Sequence, residues 1–336
     1  MSVQSMESGT RTKGRPAHAR GDLIQDFGPA AALVALVAIF AMVSPQFRTV
    51  SNLQNVLDSA AVLAVVTVGI TFVLLMGSID LSATGVMAAC ALSVSLLVAN
   101  TRNSLDLGTA GVVLAILMGG AFGLLSGLVF VVLKVPSFMT TLGVAAIGIG
   151  VATVLFSGIQ PSINDESLLG WASNRVLGFT QMTILAAICV IAGWAIQRYT
   201  RLGRYASAIG GGEEVLALSG VRVGPYKVAV FALAGCFYGL AAAMVTSQLG
   251  SGIVQAGGDY TFAAITAAVV GGTLLSGGRG GVLHSTVGVL IITVLANGLI
   301  LIGVSPYVQR GVQGLIVVIA VGAAAWPLRR RMTVVK

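Results

Sequence analysis

Long apolar stretches alternate with short polar connectors from about residue 28 to residue 326. The apolar runs fall at roughly 28–44, 56–76, 81–99, 107–133, 138–157, 177–197, 226–248, 260–275, 282–302 and 307–326. A helix crosses the hydrocarbon core with about 20 such residues, and most of the runs reach that length. The eighth is short and rich in glycine, which predicts a broken or partly inserted helix. The pattern therefore predicts an all-α protein, a polytopic membrane bundle of about ten transmembrane helices over residues 28–326. Basic tails over residues 1–27 and 327–336 flank it, the first of them disordered.

Charge orients the bundle. With the N-terminus placed in the cytoplasm and the sides alternating, the inner segments hold Arg11, Lys13, Arg15 and Arg20, then Lys134, then Arg198, Arg201, Arg204, Arg222 and Lys227, then Arg279, and last Arg329, Arg330, Arg331 and Lys336. The outer segments hold only Arg48, Arg102, Arg175 and Arg310. Cytoplasmic connectors are enriched in Lys and Arg, so both termini are expected inside. The polar N-terminal segment is too long for a signal peptide and no small-residue cleavage site precedes polar sequence, which predicts an uncleaved first span.

Composition removes several function classes. Hydrophobic residues make up 56% of the chain and charged residues 9%, against roughly 25% charged in soluble domains. The net charge of +8 resides in connectors and tails, where it meets lipid headgroups. No basic stripe with interleaved aromatics offers a nucleic-acid groove. Cys90, Cys189 and Cys236 each lie inside an apolar run, so neither a disulfide framework nor a zinc site is expected. His18 and His284 have no partner at ligand spacing.

Three stretches carry candidate mechanism. In Gly77-Ser-Ile-Asp-Leu-Ser82 a carboxylate interrupts a nearly continuous apolar stretch. Asp80 either caps a helix beginning near Leu81 or contacts a solute or gate; both place a chain break here. In the connector 198–225, three glycines precede Glu213 and Glu214, which open a short helix-like stretch ending near Gly220. That stretch is either a docking lever for a soluble partner or a helix lying on headgroups. The run from Val270 to Gly281 is Gly-rich but lacks the Gly-Lys-Ser/Thr ending of a phosphate loop. A weak echo links residues 77–82 with 271–276. Small residues at Gly119–Gly123 and Gly143–Gly150 suit close helix packing or a path between helices.

These stretches, with Val135-Pro-Ser-Phe-Met-Thr-Thr-Leu-Gly143, Thr200–Gly210, Gly271–Gly280 and Gly303-Val-Ser-Pro-Tyr307, resemble the permease subunit of ribose-type sugar ABC importers from about residue 30 to 325. The resemblance implies a multi-pass protein of the bacterial inner membrane, a second permease copy, a separate ABC ATPase subunit that carries ATP and Mg, and an extracytoplasmic solute-binding protein. The chain itself is then no enzyme and holds no cofactor. The expected ATPase-coupling residues are Gly210, Gly211, Glu213, Glu214, Ser219 and Gly220. Where the family has a Gly-Tyr-Glu-Leu-Asp-like run, this chain has Asp259-Tyr-Thr-Phe-Ala263, two carboxylates fewer. Related permeases for branched-chain amino acids or nucleosides share the architecture. A stand-alone carrier would normally show several ionisable groups within its spans. Neutral hydrogen-bonding side chains at span ends and kinks suit a neutral, polyhydroxylated solute: Asp80 apart, the expected path residues are Thr140, Thr141, Gln248 and Asn297, with Asn164 and Asp259 nearby.

Overall fold

The computed structural model describes residues 17–305, with side chains from residue 27, and beyond them Val308, Gly311, Val312, Gly314 and Leu315. Eleven α-helices occupy the described residues: α1 Ala17–Val43, α2 Val50–Leu75, α3 Ala83–Leu97, α4 Thr109–Val132, α5 Ser137–Phe156, α6 Glu166–Ser173, α7 Gln181–Tyr199, α8 Arg201–Leu218, α9 Val223–Leu249, α10 Tyr260–Val270 and α11 Val282–Leu301. Six of them (α2, α4, α5, α7, α9 and α11) are long and apolar enough to cross a membrane. The apolar part of α1, and α3 and α10, are shorter. The chain is a polytopic helical membrane protein. Nine of the expected apolar runs coincide with helices, and the tenth, 307–326, lies largely outside the described residues.

Two long helices form the centre. Helix α2 and helix α9 are mostly buried, with Phe72, Phe231 and Tyr238 among the largest fully buried side chains. Helix α4 packs along α9 more extensively than any other pair. Their crossing brings backbones together where Gly119 and Gly123 face Gly235 and the Phe231 carbonyl. Helices α3 and α5 cross in the same way at Gly85, Ala145 and Gly148. Such close approach replaces the missing hydrophobic drive with van der Waals contact in lipid. The small-residue faces at 119–123 and at Gly148 therefore serve packing; Gly143 and Gly150 meet no described neighbour within 4 Å. Leu117, Leu124, Ile147, Val154, Ile188 and Ile191 form an exposed apolar rim on α4, α5 and α7.

The helix ends sort into two faces. On one, backbone bridges join Asn100 to Ile163 and Ser162 to Ser251, so the connectors after α3, α5 and α9 lie together. The start of α2 joins this face through Asp58, which accepts from Thr180 and pairs with Arg175 at 3.0 Å. On the other face, the end of α2, helix α8 and the connector between α10 and α11 meet, and Gly278 N–H donates to the Leu75 carbonyl at 2.9 Å. This second face carries Arg198, Arg201, Arg204, Arg222, Lys227 and Arg279.

Two connectors differ from the sequence reading. Residues 158–180 hold helix α6, started by Asp165 accepting from Leu168 N–H at 2.9 Å, and a small hairpin pairing Arg175–Val176 with Phe179–Thr180 (β1 and β2). The connector 198–225 is mostly helical rather than a loop with one short helix. Thr200 caps α8 by accepting from Gly203 N–H, and non-helical backbone at Gly212 kinks the helix before Glu213. Gly220, at φ +83°, ends it.

Candidate functional site

Helix α2 ends at Leu75, and the chain does not leave the bundle. Gly77 takes φ +72°, open to glycine at little steric cost. The segment 78–82 then turns back inside, where Asp80 is only 2% exposed. One carboxylate oxygen accepts from Ser82 N–H at 2.8 Å and Ser82 Oγ at 2.6 Å. The other accepts from Tyr238 Oη at 2.9 Å, near the middle of α9. Asp80 thus lies at depth in the bundle. It accepts the backbone N–H of Ser82 at the start of α3, which begins at Ala83, in keeping with the expected helix-start role, while the Ser82 side chain itself makes no cap bond. The carboxylate also holds the Ser82 hydroxyl and pins the broken segment to α9.

Helix α5 braces the same segment from its other side. Leu81 N–H donates to Thr141 Oγ1 at 3.0 Å, and Ile79 N–H to Ser137 Oγ at 3.2 Å. Thr140, one residue away, is buried with its hydroxyl unmatched by any hydrogen bond among the described residues.

A second interruption lies opposite. After α9, residues 251–257 run beside α3, with Gly252 against Ser95 and Gly257 against Thr84. Helix α10 starts beside that point, and Thr84 and Thr261 hydroxyls meet at 2.7 Å. The eighth run is therefore a short helix of 11 residues entered through non-helical backbone, which at membrane depth must be buried in protein or line a cavity. Beyond α10, Ser285 Oγ meets Thr71 Oγ1 at 2.8 Å and Thr273 Oγ1 at 2.9 Å, joining α2, α11 and their connector.

The remaining expected path residues are dispersed. Asn297 exchanges two hydrogen bonds with Asn52, at 3.0 and 2.9 Å, and ties α11 to the start of α2. Gln248 is exposed near the end of α9. The structure brings Asp80, Thr140 and Thr141 together and leaves Gln248 and Asn297 apart from them. Tyr238, Thr84, Thr261 and Ser285 were missed by sequence reasoning. Tyr238 had a legible signal: a phenol in mid-span needs a partner for its hydroxyl, and Asp80 was the one carboxylate singled out inside the apolar run.

The expected coupling residues divide between packing and surface. Gly210 lies against the Leu75 carbonyl, Gly277 and Gly278, and Gly77 lies against Ser276 and Gly277, so three glycine-bearing segments touch backbone to backbone. Gly211 meets no Cβ-sized obstacle. Glu213 pairs with Lys227 at 2.7 Å, and Lys227 lies 4.9 Å over the Phe130 ring. Beyond the kink, Glu214, Val215, Leu218, Ser219 and Gly220 are exposed, Leu218 to 89%.

A helical bundle with two interrupted helices at its polar centre, and one helix tip standing free on its basic face, is the architecture of a membrane transport subunit. Residues 52–321 match the family model described as branched-chain amino acid transport system / permease component, and the chain belongs to that family. It is 35% identical over 294 residues to the ribose import permease protein RbsC of Escherichia coli strain K12, covering 86% of this chain and 90% of that protein. The ribose import permease protein RbsC of Bacillus subtilis strain 168 is 35% identical over 305 residues, 89% of this chain and 92% of that one. The galactose/methyl galactoside import permease protein MglC of Escherichia coli strain K12 is 32% identical over 304 residues, with 86% and 90% covered. No solved structure matches the chain.

Proposed function

We propose that the chain is the membrane-spanning subunit of an ATP-driven importer for a sugar, with ATP and Mg bound on a separate ABC ATPase subunit. The observation that carries this reading is similarity along nearly the whole chain to permeases named for ribose and for galactose. The family description names branched-chain amino acids, but these relatives, alike over most of their length, are named for sugars. The chemistry of the broken segments agrees. They offer hydroxyls and backbone groups, with the carboxylate of Asp80 already engaged, and such neutral groups exchange hydrogen bonds with a polyhydroxylated solute without a deep trapping well.

The basic face is the cytoplasmic one in this reading, by the charge bias of inner connectors. The sorting of helix ends into two faces supports about ten spans with both termini inside. Docking of the ATPase falls on the tip of α8, where Glu214, Val215, Leu218 and Ser219 stand free, while Gly210 transmits the load to the bundle. An extracytoplasmic binding protein docks on the opposite face, over α6 and the hairpin. A second copy of the chain completes the pore, and the whole lies in a bacterial inner membrane. Asp80, Thr140 and Thr141 are the path or frame residues we retain, with Gln248 and Asn297 at the outer end.

The test is ATP hydrolysis by the complex of chain and ATPase subunit in lipid nanodiscs, on addition of its binding protein loaded with ribose, galactose or leucine. Stimulation by a sugar-loaded protein is expected. Stimulation by the leucine-loaded form alone would overturn the substrate class. Robust hydrolysis by the purified chain without its ATPase would overturn the division of labour.

A further inference from the structure

We propose that a cavity on the basic face, between α7, α8 and the start of α11, binds a phosphate-bearing anion, and that its usual occupant is the headgroup of an anionic phospholipid. The cavity measures about 540 Å³ and its lining includes Arg198, Arg204, Ser207, Trp194, Leu283 and His284, with no acidic residue in its wall. Among the described residues neither Arg198 nor Arg204 forms an ion pair; Arg204 donates only to the Tyr199 carbonyl at 3.3 Å. Two guanidinium groups with free donors suit phosphate, which accepts in their planar fork.

The cavity has a built floor. Gln197 accepts from Val282 N–H at 2.8 Å and donates to the Gly280 carbonyl at 3.3 Å, which locks α7 to the α10–α11 connector and α11. Helices α8 and α11 both begin at its wall, adding positive potential to that of the arginines.

The apolar surroundings favour a lipid over a free ion. Ile188, Ile191 and Trp194 lie on one face of α7 at helical spacing, and that stripe ends at Arg198. Ile188 and Ile191 are exposed, as is Leu283 on the adjoining α11. An acyl chain lying on this stripe would bring its phosphate to the arginines. Basic pockets between transmembrane helices suit acidic headgroups. Assignment to the cytoplasmic leaflet rests on the topology proposed above; the cavity and its chemistry do not.

Trp194 itself provides the readout. The full-length chain carrying Trp171→Phe and Trp326→Phe leaves it as the sole indole. It is purified in mixed micelles with brominated phosphatidylglycerol or brominated phosphatidylcholine, whose bromines quench a nearby indole. Half-quenching is expected at about 30-fold lower phosphatidylglycerol than phosphatidylcholine, the ratio two basic contacts give. Arg198→Gln with Arg204→Gln should abolish that preference, and Arg48→Gln, on the other face, should leave it intact. Raising salt from about 0.05 to about 0.5 M should shrink it, because the screening length falls severalfold. Leu283→Ser should weaken quenching by both lipids, whose acyl chains share the apolar stripe, and leave the ratio between them set by the arginines.

Inorganic phosphate separates the sources. Displacement of the lipid by low millimolar phosphate, unaffected by Leu283→Ser, would assign the site to a soluble phosphate compound. Equal quenching by the two lipids overturns the proposal, as does a preference that persists in the double variant or at high salt. Since no transport is measured, either result leaves the importer assignment where it stands.

Discussion

Replacing Asp80 by leucine removes one acceptor group and strands three donors. Ser82 N–H, Ser82 Oγ and Tyr238 Oη all donate to the carboxylate, at 2.8, 2.6 and 2.9 Å. A buried polar group left without a partner costs about 1–3 kcal/mol, so the three together cost roughly 3 kcal/mol at the least. Removal of a desolvated carboxylate offsets part of this. Asp80→Asn is a smaller insult: its oxygen keeps both Ser82 bonds and its amide donates to the Tyr238 oxygen, so a loss below about 1.5 kcal/mol is expected. The triple variant Asp80→Leu, Ser82→Ala, Tyr238→Phe should recover part of the deficit, because two of the three stranded donors go with their side chains while the Ser82 backbone N–H stays unpartnered. The assay is thermal unfolding of the purified chain in detergent, read by the fraction still monodisperse after heating. The expected order is wild type, Asn, triple, Leu. Asp80→Leu melting with the wild type, or Asp80→Asn falling as far as Asp80→Leu, would refute a framing role. Transport lost in Asp80→Asn at unchanged melting would place the charge in the solute path instead.

Gly210→Ala should lower yield and transport together, since a Cβ there collides with the Leu75 carbonyl, whereas Gly211→Ala has open space and should be tolerated; comparable behaviour of the two would remove the close-packing argument. Leu218→Glu should leave melting unchanged, its side chain being 89% exposed, yet reduce solute-stimulated ATP hydrolysis of the assembled complex about tenfold or more, as loss of an interface hot spot does. Asn297→Leu strands Asn52 and should cost about 1–3 kcal/mol, with Asn52→Leu added to it restoring part of the loss; strict additivity of the two in a melting series would count against their pairing.

Helical spans were legible because their signal is local: a run of apolar residues is a span wherever it packs. The breaks were legible for the same reason, through glycine and a stray carboxylate at 77–82, and through the short run beginning at Tyr260. Partners were not. The mid-span hydroxyl of Tyr238 signals that a partner is needed, but no local pattern fixes its pairing with Asp80, and Asn52 and Asn297 meet only because α2 and α11 pack together. The connector 198–225 read as a loop because its three consecutive glycines oppose helix, each by about 1 kcal/mol. Two of them stay helical, and Gly210 gains contact with the end of α2 and the α10–α11 connector that the local sequence does not reveal.

The meeting of Gly77, Gly210 and Gly277 has a consequence for how the protein is made. Its three strands of backbone come from distant parts of the chain, and the last of them is synthesised only after α10 has emerged. Until then the end of α2 lacks the amide that Leu75 accepts from, and Gly210 rests on the Leu75 carbonyl without the Gly277–Gly278 backbone beside it. The nascent chain therefore holds α8 against α2, α7 and α9 with one side of its packing open until α10 and the residues after it are made. A chain cut off before α10 should therefore seat the tip of α8 less firmly than the full chain does.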